Sequence, residues 1–483
     1  MSQMRVATLL ALLIAMVASA AEGAEGAETT LTLNAKDTGY RGIWYMNQPL
    51  QNEYRYKYSG GLGTYCAKHR PFAVYCKEVE KTFFCFGGTP DGERANKTLL
   101  HMVSYYDHRT GMVPRPTILL DKRTTDAHDN PVISVDDEGT IWIFSTSHGT
   151  GRPSYIHCSA RPYDVNEFVL VRATKIEQDK QVAMTNFSYM QAWHVRDSGF
   201  AAFFTRYNYP AARTACFMTS PDGVHWSAWQ RLGAIDQGHY QIGIANESKA
   251  GTALNYHPRG KGLNWRTNLY YLETLDLGRS WRAADGTDVA VPLTEPQNAA
   301  LVYDYEKEGS LVYLKDIRFD GSGHPVILFL TSRGFEAGPE NDPRTWHTAR
   351  WTGQAWTIRT CFTSDNNYDM GSLYLETDRA WRIVAPTETG PQPYNPGGEI
   401  VMWHTTDQGA TWRKIRQLTK DSPFNHTYAR EPVNVHDDFY ALWADGHGRR
   451  PSESSIYFCD RAGNVYRLPR VMAAEFVKPE KIN

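Results

Sequence analysis

Two stretches of the chain repeat the same arrangement of residues. They read Thr274-Leu275-Asp276-Leu277-Gly278-Arg279-Ser280-Trp281 and Thr405-Thr406-Asp407-Gln408-Gly409-Ala410-Thr411-Trp412, and both fit (Ser/Thr)-x-Asp-x-Gly-x-x-Trp. Degenerate copies lie at residues 137–142 and 220–226. In such a segment the Asp side chain caps backbone N–H groups, the Gly adopts a positive φ, and the Trp packs the turn onto the next strand. The pattern therefore predicts a β-hairpin turn that recurs along the chain.

The rest of the chain also has the pattern of β-strands. Short runs rich in β-branched and aromatic residues, such as 140–145 and 325–330, alternate with Gly, Asp and Asn turns, and helical periodicity is scarce. The recurring turn resembles the Asp-box, or BNR repeat, of sialidase-like propellers. About 455 residues follow the N-terminal leader, which is room for about seven blades of roughly 60 residues each. We therefore expect an all-β chain that forms a single seven-bladed β-propeller with four antiparallel strands in each blade.

The N-terminus has the pattern of a signal peptide. An apolar run from Val6 to Ala20 ends in Ala18-Ser19-Ala20, the small-x-small pattern that signal peptidase requires. This run is shorter than the roughly 20 residues that span a bilayer, so a membrane anchor is not expected. We predict a signal peptide over residues 1–20 cleaved after Ala20, a flexible tail over 21–35, one propeller domain over 36–483, and export to the periplasm or the medium.

The charge and the cysteines argue against several kinds of partner and site. The formal net charge of −2 provides no basic field for nucleic acid. The cysteines include no CxxC pair, so a zinc-finger-type site is not expected, and their odd number implies a free thiol. Cys76 and Cys85 could face each other across a hairpin, but two buried thiols are the favoured interpretation. We expect a monomer that binds neither nucleic acid nor a membrane. The seven cysteines are Cys66, Cys76, Cys85, Cys158, Cys216, Cys361 and Cys459.

Two pairs of side chains are predicted to lie at the ends of hairpins. His128 precedes a strand near 131–135, and the return strand near 140–145 leads to His148, so both histidines reach the same end of one hairpin. A strand pair separates Tyr189 from Arg206 in the same way. A single loop histidine is ordinarily exposed or structural, but two on one loop face favour a functional interpretation.

At these residues the chain resembles a family of propeller polysaccharide lyases. The family includes ulvan lyases and rhamnosyl-glucuronate lyases that act on gum arabic and arabinogalactan side chains. The resemblance extends over nearly the full mature length and includes the segments 39–48 and 58–65 and the His-x19-His pair of His128 and His148. It implies a lyase that cleaves a rhamnose–glucuronate linkage in an acidic polysaccharide by β-elimination.

The resemblance also implies a catalytic site. Elimination requires a neutralised uronate carboxylate, removal of the C5 proton and protonation of the C4 oxygen, which are tasks for Arg or His⁺ and for His, Tyr or Lys. By position, the family's site residues correspond to His128, His148, Tyr189 and Arg206. Tyr189 is the implied proton donor and a candidate base. One histidine acts as base or helper, the other neutralises the carboxylate with Arg206, and the order of the two histidines stays open.

Further predictions concern substrate contacts and metals. No cofactor is expected for the chemistry, and the resemblance implies a structural ion, calcium or zinc, whose ligands the sequence does not assign. We expect substrate contacts from Asn130, His257, Arg266 and Tyr368.

Two other functions compete with the lyase. Related propellers are α-L-rhamnosidases, which hydrolyse the same linkage with a single histidine on the opposite propeller face. His69 is one candidate for that histidine, and Gln48 occupies another early position, where a glutamine argues against hydrolysis. The second alternative is a non-catalytic propeller that binds carbohydrate through its aromatic loops.

Overall fold

The structure is a computed structural model that describes residues 31–63 and 68–483. The predicted signal peptide, residues 21–30 of the predicted tail and Cys66 lie outside the described residues. The described part contains β-strands and three short 3-10 helices, Gly92–Arg94, Ala127–Asp129 and Pro339–Asn341. None of its helices has the length and apolar character that crossing a membrane requires.

The strands are short and follow one another closely along the chain. The N-terminal half contains β1 (Ala35–Lys36), β2 (Tyr45–Pro49), β3 (Tyr56–Gly60), β4 (Ala73–Cys76), β5 (Lys81–Gly88), β6 (Leu100–Asp107), β7 (Val113–Pro114), β8 (Thr117–Asp121), β9 (Pro131–Val135), β10 (Ile141–Ser145), β11 (Tyr155–Ser159), β12 (Phe168–Val171), β13 (Thr174–Glu177), β14 (Lys180–Ala183), β15 (Ser188–Val195), β16 (Gly199–Tyr207), β17 (Arg213–Ser220), β18 (His225–Trp226) and β19 (Gln230–Gly233).

The C-terminal half continues in the same manner. It contains β20 (Gln241–Ala245), β21 (Ala250–Tyr256), β22 (Thr267–Thr274), β23 (Leu301–Tyr303), β24 (Leu311–Phe319), β25 (Pro325–Ser332), β26 (Arg344–Trp351), β27 (Trp356–Ser364), β28 (Ser372–Leu375), β29 (Trp381–Glu388), β30 (Glu399–Thr405), β31 (Arg413–Gln417), β32 (Asn425–Arg430), β33 (Ala441–Gly446), β34 (Ile456–Cys459), β35 (Val465–Arg467), β36 (Phe476–Val477) and β37 (Glu480–Lys481).

Seven antiparallel sheets of four or five strands form a ring. In chain order they are β1-β8-β6-β5-β4, β12-β11-β10-β9, β15-β16-β17-β19, β20-β21-β22-β23, β24-β25-β26-β27, β28-β29-β30-β31 and β32-β33-β34-β35-β37. Each sheet packs on the next, and backbone hydrogen bonds from Val433 to Ala73 and from Tyr75 to Val433 join the last to the first. The prediction of a single all-β propeller is confirmed.

The number of sheets differs from the prediction. The strands β14, β13 and β18 form a further sheet, in which β13 and β18 are parallel. The described residues therefore hold eight sheets of three or more strands rather than the predicted seven blades. The additional sheet escaped prediction because β13 and β14 are polar and mostly exposed, so they lack the apolar alternation that signals a strand.

The cysteine pair and the tail can be compared with their predictions. Cys76 and Cys85 carry free, buried thiols, so the favoured interpretation is confirmed. The cause is the register, because Cys76 pairs with Lys81 across β4 and β5 and Cys85 lies farther along. The predicted tail reaches residue 35, yet Thr32 already bonds His157 and Asn34 bonds Phe168.

The recurring turn has the geometry that its sequence predicts. Asp407 accepts hydrogen bonds from Thr411 N at 2.9 Å and from the Thr405 hydroxyl at 2.6 Å. Gly409 has a φ of 80°, and its N–H bonds the Thr405 hydroxyl. The Asp276 turn repeats this arrangement. The motif therefore stabilises hairpin turns through its Asp and its hydroxyl residue.

Replacing Asp407 with Ala should lower stability without altering the rest of the ring. The substitution removes acceptors of backbone and hydroxyl donors, and such a loss costs about 1–2 kcal/mol. Urea unfolding measures the change, with the exposed Asp378→Ala as control, since the Asp378 carboxylate accepts no hydrogen bond among the described residues. Equal stability of the two variants would contradict the structural role of the turn.

Candidate functional site

A short 3-10 helix places the first histidine. Asp126 caps this helix, Ala127–Asp129, by accepting a hydrogen bond from His128 N at 3.0 Å. The helix ends where β9 begins, and β10 pairs with β9 so that Ser145 lies opposite Pro131. The loop after β10 therefore starts beside the helix and brings His148 to His128.

One carboxylate binds both imidazoles. His128 Nδ1 lies 2.6 Å from Asp126 Oδ1, and His148 Nδ1 lies 2.7 Å from Asp126 Oδ2. The two rings stack with centroids 4.2 Å apart. With its Nδ1–H donated to Asp126, His148 has Nε2 as the ring nitrogen that can accept or donate a proton.

Burial and charge set the protonation of this cluster. Burial lowers the pKa of His148, and the neighbouring His128 lowers it further, while Asp126 raises it. Burial would raise the pKa of Asp126, but the two histidines hold that pKa well below its usual range. The cluster therefore contains a carboxylate at neutral pH and a His148 that favours the neutral form.

A second acid three residues along the chain holds the His148 loop. Asp129 is fully buried and accepts hydrogen bonds from His148 N at 2.7 Å and from Arg152 Nε at 2.7 Å. Lys122 Nζ lies 3.7 Å from Asp129 Oδ2, and burial lowers the pKa of that lysine to about 8. Because Arg152 also reaches Asp126 Oδ2 at 3.1 Å, the loop and the histidine cluster form one connected unit.

Tyr189 enters the site from a β-bulge. The pairing of β15 with β16 shifts register between Ser188 and Gln191, and Tyr189 has a φ of 56°. Bulges re-aim side chains, and a left-handed φ at a non-glycine residue costs about 1–3 kcal/mol. The Tyr189 hydroxyl lies 2.6 Å from that of Tyr207, and its ring centroid lies 5.9 Å from those of both histidines.

Arg206, the predicted arginine of the site, contacts residues outside the histidine pair. The Arg206 guanidinium bonds Asn186 and lies over Trp229, and among the described residues no hydrogen bond or ring contact joins it to the two histidines or Tyr189. Its neighbour Tyr207 lies on the other face of β16, because side chains alternate along a strand. Arg213 pairs with Tyr207 across the sheet and lies 5.3 Å from the centroids of both Tyr207 and Tyr240.

The four predicted substrate contacts lie in the interior. Asn130 donates to the carbonyls of Gly61 and Leu62, and His257 Nδ1 bonds the Trp265 carbonyl at 2.9 Å. The Arg266 guanidinium lies 4.7 Å from the centroid of the Tyr240 ring. All four are buried, namely Asn130, His257, Arg266 and Tyr368.

The two residues considered for hydrolysis differ in exposure. His69 is fully buried, its Nε2 lies 3.0 Å from the His128 carbonyl, and burial lowers its pKa to about 3. Gln48 is exposed in the hairpin of β2 and β3, whose first residue, Tyr45, contacts His128. Both positions therefore lie on the side of the histidine cluster rather than on the opposite face.

The opposite face carries a large open cavity of about 1180 Å³. Its lining includes residues 134–137, 193–197 and 244–248, which are the C-terminal ends of β9, β15 and β20 and the turns after them. His128, Tyr189 and Tyr240 precede or begin these same strands. The cavity and the histidine cluster therefore open at opposite ends of the ring.

Two clusters bring three potential metal ligands within 4.8 Å of one another. They are Asp126 with His128 and His148, and His108 with His436 and Asp438. In the first cluster both Nδ1 atoms are already hydrogen bonded to Asp126, so protons occupy the position that a cation would take. In the second cluster His436 Nδ1 accepts a hydrogen bond from Asp438 N at 3.1 Å.

The sequence matches a known repeat family. A model of the BNR repeat-containing family matches residues 100–364, which is more than half of the chain and includes His128, His148 and Tyr189. The chain belongs to the BNR repeat-containing family. A search of curated proteins found no match to this family member.

Three solved structures similar to this BNR repeat protein are polysaccharide lyases. An ulvan lyase described as a new polysaccharide lyase family is 16% identical with a TM-score of 0.65, covering 87% of this chain and 95% of its own. The structure of that ulvan lyase bound to -[GlcA(1-4)Rha3S]- is 15% identical with a TM-score of 0.64, covering 88% and 96%. The polysaccharide lyase Uly1 is 10% identical with a TM-score of 0.59, covering 89% and 98%. These likenesses show a shared fold.

Sequence reasoning missed several members of the site in this BNR repeat protein. Asp126 was visible as an acid two residues before His128, a spacing that suits a helix cap bonding both the backbone and the ring. Tyr207 was visible beside Arg206, but the face of the strand that carries it was not. Arg213 and Tyr240 had no local signal, because they reach the site from separate strands.

Replacing Asp126 with Asn should lower the pKa of His148 further. The variant loses the negative charge that raises this pKa, while burial and His128 continue to lower it. Imidazole ¹⁵N NMR titration measures the shift. The matched control is Asp222→Asn, which breaks an exposed pair with His225 and should leave His148 unchanged. A His148 pKa that rises in Asp126→Asn would contradict the bridging geometry.

Proposed function

We propose that this protein is a polysaccharide lyase that cleaves a rhamnose–glucuronate linkage of an acidic polysaccharide, of the ulvan or arabinogalactan type, by β-elimination. The observation that carries the proposal is the pair of histidines bridged by Asp126 beside the hydrogen-bonded phenols of Tyr189 and Tyr207. Fold similarity to ulvan lyases, one of them bound to a glucuronate–rhamnose oligosaccharide, supports it.

His148 is the proposed base. Its Nδ1 is committed to Asp126, so in the neutral ring the lone pair lies on Nε2. The lowered pKa keeps this nitrogen unprotonated near neutral pH. The His148 side chain is 26% exposed, whereas that of His128 is 4% exposed, so His148 is the histidine that a sugar ring can reach.

Tyr207 is the proposed acid, supported by Tyr189. In glucuronate the C5 proton and the C4 oxygen lie on the same ring face, so base and acid must be neighbours. The rings of His148 and Tyr207 are 5.8 Å apart between centroids. His148 takes the C5 proton, the C4=C5 bond forms as the C4–O bond breaks, and the phenol protonates the leaving oxygen. Transfer of the proton from His148 to the phenol restores both groups.

Arg213 is the proposed partner of the uronate carboxylate. Its guanidinium faces the rings of Tyr207 and Tyr240, on the side of β16 that carries the acid. Neutralising the carboxylate stabilises the charge that develops at C5 in the transition state. Arg206, which the family resemblance favours, is turned toward Asn186 and Trp229.

Hydrolysis has weaker support from the site. An acid–base histidine must contact the glycosidic oxygen, and His69 is fully buried with its pKa lowered to about 3. The Gln48 amide does not titrate, so it cannot act as an acid or a base. Elimination therefore accounts for the exposed titratable groups better than hydrolysis does.

Incubation of the mature protein with ulvan and, separately, with gum arabic tests the reaction. Elimination produces a conjugated double bond, so ultraviolet absorbance should rise with the appearance of unsaturated products. His148→Ala and Tyr207→Phe should each lower the rate by about 100-fold or more, because each removes a proton-transfer group. Tyr303→Phe is the matched control, since it removes an exposed hydroxyl bonded only to Glu308.

Other outcomes of this assay separate the competing functions. Release of rhamnose without the absorbance rise would establish hydrolysis and contradict the lyase. Binding of the polysaccharide without any product would indicate a carbohydrate-binding propeller. Full activity of His148→Ala would contradict the assignment of the base even if elimination occurs.

Substitution of the two arginines should separate their roles. Arg213→Gln should lower kcat/KM by about 100-fold through loss of carboxylate stabilisation, and Arg206→Gln should have a smaller effect. Initial rates over a range of substrate concentrations measure both, with the exposed Arg196→Gln on the opposite face as control. A larger loss in Arg206→Gln would return the role to the residue that the family resemblance favours.

A further inference from the structure

The loop that carries His148 contains two glycines and needs other residues to hold it. It reads His148-Gly149-Thr150-Gly151-Arg152, and Thr150 and Gly151 are exposed. Gly149 has a φ of 74°, and open space surrounds the position of a Cβ at Gly151. Glycine loses more conformational freedom on ordering than any other residue. The position of the His148 imidazole therefore depends on the contacts that fix this loop.

The side chain of Asn186 bonds the loop on both sides of its exposed tip. Its Nδ2 donates to the Gly149 carbonyl at 3.1 Å and to the Arg152 carbonyl at 2.6 Å. The same nitrogen donates to the Ser147 hydroxyl at 2.8 Å. Asn186 is 7% exposed, so these bonds form away from water, where leaving the carbonyls without a donor is costly. One amide group therefore closes the base of the loop.

Arg206 fixes the orientation of this amide. Its guanidinium donates a hydrogen bond to Asn186 Oδ1 and lies 5.3 Å from the centroid of the Trp229 ring. A guanidinium can only donate, and a backbone carbonyl can only accept. The amide oxygen must therefore face Arg206, and the NH₂ group must face the loop. Since Arg206 belongs to β16, this contact joins the loop after β10 to the next sheet.

The segment that contains Asn186 also leads into the bulge of β15. The Ser188 hydroxyl donates to the Gly149 carbonyl at 3.2 Å, which adds a further bond to the loop. The next residue is Tyr189, whose hydroxyl belongs to the pair of phenols at the site. The same short segment therefore fixes the His148 loop relative to these phenols.

We propose that Asn186, oriented by Arg206, is a positioning residue that holds the loop of His148 in place. The consequence for catalysis rests on the proposed function, in which His148 takes the C5 proton. Reacting atoms must approach within about 3.5 Å, and a misplacement of about 1 Å can lower a rate by about 100-fold. Arg206 then acts on the reaction through an amide and not through contact with the substrate.

Hydrogen–deuterium exchange of the mature protein tests the hold on the loop. Asn186→Asp keeps the side-chain volume and the acceptor for Arg206, but it removes the donor and places a carboxylate beside two carbonyl oxygens. Amides of residues 147–152 should exchange about 10-fold faster or more. The matched control is Asn246→Asp, because the Asn246 amide oxygen accepts three hydrogen bonds that an aspartate can also accept. Unchanged loop exchange in Asn186→Asp would contradict the proposal.

Steady-state kinetics test the link to the base. Asn186→Ala should lower kcat by about 10-fold or more with a smaller change in KM, because the loop supplies the base and Arg213 the carboxylate contact. Arg206→Met keeps an apolar side chain on Trp229 and removes the donor. It should lower kcat in the native background and add little in the Asn186→Ala background, since both changes break one chain of contacts. Urea unfolding of each variant establishes that the measured protein is folded.

Two kinetic results would overturn the proposal. One is full kcat for elimination in Asn186→Ala. The other is an equal loss from Arg206→Met in the native and Asn186→Ala backgrounds, which would indicate direct contact of Arg206 with the substrate. If neither ulvan nor gum arabic gives an elimination product, the proposed function fails. The exchange of residues 147–152 then decides by itself whether Asn186 holds the loop.

Discussion

The candidate site depends on the partly buried carboxylate of Asp126. Its two oxygens bind the Nδ1 atoms of His128 and His148, and the same side chain caps the helix that carries His128. Because the group is largely removed from water, its charge acts at short range with little screening. Asp129 holds the backbone of the neighbouring loop instead. The two acids on one helical turn therefore have different roles. Asp126 orients the imidazoles, and Asp129 holds the backbone of the loop that carries His148.

Local sequence patterns predicted the fold well where they were strong. The turns at Asp276 and Asp407 and the apolar runs such as β10 and β25 identified an all-β propeller. The sheet of β13, β14 and β18 was missed because its strands are polar and one of them joins in parallel from a distant part of the chain. Pairing of that kind leaves no periodic signal in either segment.

The site was predictable only in part. Antiparallel pairing decides which end of a hairpin a residue occupies, so the proximity of His128 and His148 follows from their places around β9 and β10. The pairing of the hairpin does not decide which face of a strand carries a given side chain. The bulge at Tyr189 also shifts the register from which that face would be predicted. Arg206 contacts Asn186 and Trp229, while Tyr207 bonds Tyr189. Burial of Arg266 results from packing among several sheets, which no single segment encodes.

The groups that form the candidate site lie between residues 122 and 240. Neighbouring sheets build it, whereas ring closure joins Val433 to Ala73 across most of the chain. The entropic cost of closing so long a loop arises in the final step of folding and not in the assembly of the site. A chain synthesised from its N-terminus can therefore form the candidate site while the last sheets are still emerging. Closure of the ring then preserves an arrangement that has already formed.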